Sequence, residues 1–153
     1  MLPRSFSTRF AIALNATPIA DQSDTSGGTV LADIERTLLS LARDLGTDTV
    51  TEILDLYVVD SQRHIVNIQA GLAKNDAHVV RVAAHTLKST AATVGALPLA
   101  ETCKEIERHA REGRIDEVGK LVGQLTRHEA DARLAVIALQ PKFAALASAE
   151  ANH

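Results

Sequence analysis

The chain has 153 residues, of which 46% are hydrophobic, 23% charged and only 3% aromatic. A chain of this size suits one domain, which buries roughly 70% of the surface its unfolded form exposes. With 16 basic against 19 acidic residues, a net charge of -3 and no local cluster of Lys and Arg, it lacks the cationic surface that a nucleic-acid backbone requires.

The first twenty residues carry Arg4, Arg9 and a short apolar run, Phe10-Ala11-Ile12-Ala13-Leu14, with no acid before Asp21. This faintly resembles a targeting peptide, but Asn15 ends the run and no clear small-residue cleavage site follows. Residues 1–28 are therefore expected to be a disordered tail, with Asp21 to Gly28 a flexible linker by composition. The domain is expected to start near Thr29.

From Val30 to Gln140 the apolar positions recur every three and four residues, which predicts helix throughout. Leu31, Ile34, Leu38, Leu39 and Leu41 give a short first helix, stopped by Gly46 and followed by a cap at Thr47, Asp48 or Thr49. The second helix runs to about Lys74 on a stripe of Val50, Ile53, Leu54, Tyr57, Val58, Ile65, Ile68 and Leu72, and Asn75-Asp76 makes the turn and cap after it. A third helix, Ala77 to about Gly95, buries Val80, Ala83, Ala84, Leu87, Ala91 and Val94. Pro98 then opens a fourth, with Leu99, Cys103, Ile106 and Ala110 inward and Gly113 closing it. Asp116 is expected to cap a fifth helix carrying Val118, Leu121, Val122, Leu125, Ala132, Val136 and Leu139, which Pro141 kinks or ends. Residues 142–153 are expected to fray as a C-terminal tail. Short connections between long amphipathic helices force neighbours antiparallel, so the expected fold is all-α: an up-down four-helix bundle over residues 29–141 with a short leading helix.

No phosphate-cradling glycine loop, GxSxG, HExxH or CxxC occurs, so neither an ATP-binding site nor a catalytic metal site is expected. The lone Cys103 has no disulfide partner, which suits a reducing cytoplasm, and no apolar stretch approaches the roughly 20 residues that span a bilayer. The paired acids Glu105 and Glu107, and Asp116 and Glu117, read as solvated helix surface beside Lys104, Arg108, Arg111 and Lys120.

Among the six histidines, His153 is terminal, and His64, His109 and His128 lack a His or Cys at helical spacing to complete a metal pair. His85 differs. At about 100° per helical residue the core residue Leu87 lies on nearly the opposite side of the circumference, so His85 faces solvent. Arg81, Val82, Lys88 and Ser89 stand one turn from it, with His78 and Ala92 two turns off. A neutral imidazole is a usable nucleophile at cellular pH, and a cation one turn away opposes its protonation and attracts a phosphoryl group. Ser89 leaves the approach to the ring narrow and unobstructed, while Val82 and Ala92 add exposed apolar surface suited to docking. More of that patch is expected from the neighbouring helix, around Tyr57 and Ser61.

The string from Ala84 through His85-Thr86-Leu87-Lys88-Ser89-Thr90-Ala91-Ala92 to Gly95-Ala96, followed by Leu99, Cys103 and Ile106-Glu107, resembles the histidine-containing phosphotransfer (HPt) domains of multistep two-component relays. The resemblance covers about residues 48–140, with Ser89 where glycine is usual. It implies a four-helix bundle, His85 as the residue that takes a phosphoryl group from the aspartyl phosphate of a receiver domain and passes it to another, and Lys88 balancing phosphoryl charge. It implies receiver domains and a hybrid sensor kinase as partners, with Mg²⁺ in the receiver and no cofactor on this chain, and a monomer is expected. Two other readings fit the residues less well: an adaptor bundle without chemistry, and a dimerising histidine phosphotransferase, in which an acid usually follows the histidine where Thr86 stands here.

Overall fold

The computed structural model describes residues 18–152, with side chains from Gly28 onward. Five helices follow one another: α1 (Pro18–Leu45), α2 (Thr47–Ala73), α3 (Ala77–Val94), α4 (Leu97–Arg111) and α5 (Ile115–Ala151). No strand occurs among the described residues. Each of α2 to α5 packs on the next, α2 also packs on α5, and α1 lies against α2, α3 and α5.

The joints follow from local chemistry. Gly46 turns between α1 and α2 at φ 96° and caps α2 with no side-chain bond, so the expected capping by Thr47, Asp48 or Thr49 does not occur. Thr47 is instead the first helical residue, buried, and its hydroxyl donates to Glu150 at the far end of α5. Asp76 caps α3 as its sequence position suggests, its carboxylate accepting from Val79 N at 3.1 Å. Gly95 ends α3 in the left-handed region at φ 86°, with Ala96 N–H donating to Ala91 O. A Cβ at Gly95 would stand 2.7 Å from Thr37 Cβ, so this glycine also lets α1 lie against the end of α3. Pro98 falls in the first turn of α4, where no N–H is missed. Arg114, rather than Asp116, is the capping residue of α5, and Asp116 sits in its first turn.

Two expectations about the ends are corrected. The leading helix is not short: it starts at Pro18, and Asp21 to Gly28 is helical rather than linker. No proline falls between Pro18 and Pro98 to forbid that extension, and the helix it extends is anchored by Ile34 and Leu38, both fully buried. The earlier apolar run and Arg4 and Arg9 lie outside the described residues. At the other end α5 passes through Pro141 and continues to Ala151, so residues 142–151 are not a frayed tail. An internal proline costs about 3 kcal/mol. Burial of Phe143, which is completely enclosed, offsets much of that, with Leu146 packed beside the core and Lys142 paired with Glu35 of α1. By length and composition only, one 18-residue stretch of α5 is apolar enough to cross a membrane. One face of this helix, Val118, Leu125, Ala132, Val136, Leu139 and Phe143, is buried inside the domain.

One continuous core runs through all five helices, from Ile34 and Leu38 in α1 to Phe143 in α5. Close approach of α2 and α3 requires Gly71, where a Cβ would lie 2.9 Å from Val80 Cγ2. The missing Cβ lets the inner face of α3 seat closely on α2.

Candidate functional site

The inner stripe of α3 consists of Val80, Ala83, Ala84, Leu87, Ala91 and Val94, all buried. The helical period then puts His85 outside, and its side chain is 59% exposed. Val82 is 45% exposed, and Ser89 and Ala92 are also exposed. Arg81 is half-buried and leans away from His85, its guanidinium 3.3 Å from His78 Nδ1. The six residues singled out on this helix therefore all lie outside its buried stripe. Tyr57 and Ser61 do not join them: both are buried, at 4% and 1%, because their positions fall in the core stripe of α2. Ser61 instead donates to Glu129 at 2.9 Å, and Arg133 closes that buried carboxylate at 3.0 Å.

The imidazole is held from the neighbouring helix by a residue that the sequence reading placed in solvent. Glu107 of α4 is buried, with its side chain 5% exposed. Its Oε1 accepts from Lys88 Nζ at 2.6 Å, and its Oε2 stands 2.9 Å from His85 Nδ1 and accepts from Arg111 at 3.0 Å. Burial by itself would raise the Glu107 pKa. The hydrogen bonds from Lys88 and His85, with the charges behind them, outweigh it and hold the carboxyl below the usual carboxylate range. An ionised carboxylate only accepts hydrogen bonds, so Nδ1 carries a proton. In the neutral ring the lone pair is then on Nε2, the nitrogen turned away from Glu107. Lys88, 31% exposed, pairs with Glu107 and stands one turn from His85.

Spacing did contain the signal for Glu107. It lies four residues after Cys103 and three before Ala110, both buried, on the edge of the inner stripe of α4. Glu105 falls on the opposite side and is exposed, so the two acids differ in role despite their proximity in sequence. Behind the cluster Cys103 is fully enclosed, and burial pushes its thiol up to about 12. Among the described residues no group of three or more His, Cys, Asp or Glu is placed to hold a metal ion.

The arrangement is an exposed imidazole whose Nδ1 proton is fixed by a buried carboxylate, with a lysine one turn along the helix. Comparison with known proteins places it in a family. The model of the Hpt domain matches residues 52–139. The phosphorelay protein LuxU of Vibrio vulnificus, in strains YJ016 and CMCP6, is 26% identical over 94 residues, spanning 61% of this chain and 82% of LuxU. The crystal structure of histidine-containing phosphotransfer protein B (HptB) from Pseudomonas aeruginosa PAO1 superposes with a TM-score of 0.66 at 32% identity, over 70% of this chain and 92% of that one. The matched segment takes in α3 and α4 whole, and with them His85, Lys88 and Glu107, so the chain belongs to the Hpt domain family.

Proposed function

We propose that this protein is a phosphorelay intermediate in which His85 Nε2 takes a phosphoryl group from the aspartyl phosphate of one receiver domain and gives it to the aspartate of another. One observation carries the reading: Nδ1 faces a buried, ionised Glu107 while the ring stays exposed. In the first step the Nε2 lone pair attacks phosphorus, the bond from phosphorus to the aspartyl oxygen breaks, and the carboxylate leaves. The Nδ1 proton stays in place against Glu107, which offsets the positive charge the ring acquires. In the second step a fresh carboxylate attacks, the P–N bond breaks, and the neutral ring returns. Lys88 shifts part of its charge to the phosphoryl oxygens. Mg²⁺ belongs to the receiver in this scheme and no cofactor to this chain.

The helices α2 to α5 are best read as an antiparallel up-down four-helix bundle with α1 as the leading helix, a reading supported by the short joints and by the packing of α2 on α5. The receiver docks on the outer face of α3, over Val82, Ser89 and Ala92, with Arg81 at the rim. We read the protein as a cytoplasmic monomer fed by a hybrid sensor kinase.

The test is labelling with a phosphorylated receiver. His85→Gln abolishes labelling and leaves the helical circular dichroism unchanged, and the phosphoryl group on the wild type is acid-labile and alkali-stable. Labelling retained in His85→Gln would overturn the assignment. For the docking face, Val82→Glu and Ala92→Glu each weaken binding to an unphosphorylated receiver in calorimetry, since a charge enters an apolar contact. If both bind as the wild type does, the receiver approaches elsewhere.

A further inference from the structure

Arg111 lies outside the histidine helix, on α4, one turn beyond Glu107 and 60% exposed. Its guanidinium is 3.0 Å from the same Oε2 that His85 Nδ1 approaches at 2.9 Å, whereas Lys88 takes the other oxygen. Two donors therefore divide one acceptor atom. A carboxylate with a single histidine beside it favours the doubly protonated imidazolium, which has no lone pair left on Nε2. Glu107 must accept from Nδ1 strongly enough to keep that proton there, yet not so strongly that the ring takes a second one.

We propose that Arg111 is a positioning residue that sets this balance: by sharing Oε2 with His85 it weakens the pull of Glu107 on the ring, so that the ring takes no second proton and Nε2 keeps its lone pair. Arg111 acts through Glu107 and touches no reacting atom. The groups that decide the state of the ring are Lys88 and Arg81 on its own helix and Glu107 and Arg111 on α4. Among the cations of the described residues, Lys88 and Arg111 alone bond Glu107, and Arg111 alone bonds Oε2. The inference rests on His85 being the phosphorylated residue.

The test uses the full chain with ¹⁵N-labelled histidine at pH 7. Long-range ¹H–¹⁵N spectra report the two ring nitrogens of His85 separately. In the wild type Nδ1 is protonated and Nε2 resonates as a bare nitrogen. In Arg111→Ala the Nε2 resonance moves toward the protonated position, and Arg111→Lys, which returns a cation to Oε2, moves it back. The second readout is phosphorylation by phosphoramidate, in which Nε2 attacks phosphorus and ammonia leaves. Its initial rate at pH 7 falls about threefold in Arg111→Ala and recovers in Arg111→Lys. Nitrogen shifts and rates that match the wild type in Arg111→Ala, or an Arg111→Lys that follows Arg111→Ala, overturn the role of Arg111. If the wild type takes no phosphoryl group on His85 from either donor, the reading of the site fails instead, and the nitrogen shifts still report on Arg111. Thermal melts of both variants confirm that the exposed substitution leaves the fold intact.

Discussion

Replacing Glu107 by alanine is the perturbation that separates a built site from an exposed histidine. The carboxylate is buried and meets three donors, Lys88 at 2.6 Å, His85 at 2.9 Å and Arg111 at 3.0 Å. A hydrogen bond to a charged group contributes about 1.5–3 kcal/mol when both partners are enclosed. These donors are 31%, 59% and 60% exposed and regain water when released, which brings the three down to about 2 kcal/mol together. Relief of the carboxylate's own burial and the cavity left behind act in opposite directions and largely cancel. For a domain of this size about 2 kcal/mol lowers Tm by roughly 8 °C. The loss has a pH signature. Because the folded carboxyl titrates below the ordinary value of 4.5, its contribution is fully present above that value and disappears as pH falls through the folded one. Circular-dichroism melts of wild type and Glu107→Ala should therefore differ by roughly 8 °C at pH 7 and converge in acid. A difference that persists unchanged in acid would show that packing rather than charge holds Glu107, and a difference under a degree at pH 7 would show that the cluster holds nothing.

Glu107→Gln keeps an oxygen for Nδ1 but loses the charge that Lys88 needs, so labelling by a phospho-receiver is retained at a rate within about tenfold of wild type; complete loss would mean that the charge itself is required. Lys88→Ala slows receiver-dependent labelling and also costs about 1 kcal/mol of stability, because it withdraws the shortest bond to a buried carboxylate; an unchanged labelling rate would remove Lys88 from the transfer. Phe143→Ala destabilises by about 3–5 kcal/mol in denaturant titration, and a loss below about 1 kcal/mol would return the chain after Pro141 to the status of a tail. On the alkaline side, burial raises both the Cys103 thiol, from 9.0 to about 12, and the Tyr57 hydroxyl. The unfolded chain ionises first and holds fewer protons, so stability falls as pH rises above 9. Cys103→Ala flattens that decline between 9 and 12, and a stability that is level up to pH 11 would contradict it.

Periodicity made the helices legible because a core stripe leaves its mark on every turn. The outward placement of His85 followed from that stripe with no knowledge of neighbours, since Leu87 and Ala91 fix the rotation of α3. What spacing could not show was the partner across the groove. The contact between His85 and Glu107 joins residues 22 apart in sequence on different helices, and it depends on how α3 and α4 abut. The ends misled for a different reason. Asp21 to Gly28 has a loop-favouring composition, whereas the residues after Pro141 are Ala-rich helix formers that the proline was expected to cut off, and burial of Phe143 keeps them in α5. Tyr57 was assigned both to a stripe and to a docking patch and Ser61 to the patch alone, and both lie buried in the stripe.

His85 sits in the middle of an eighteen-residue helix, not on a loop. A helix interior cannot fold over its own side chain, so in the proposed relay α3 itself has no cover to draw across a phosphoryl group on His85. In that scheme a receiver seated on the face keeps water away, and between visits the described residues leave the P–N bond on an open helix face. The lifetime of the signal in transit is then a property of the imidazole and its ionic neighbours, whereas the speed and direction of transfer belong to whichever receiver arrives next and to how many of them are already charged.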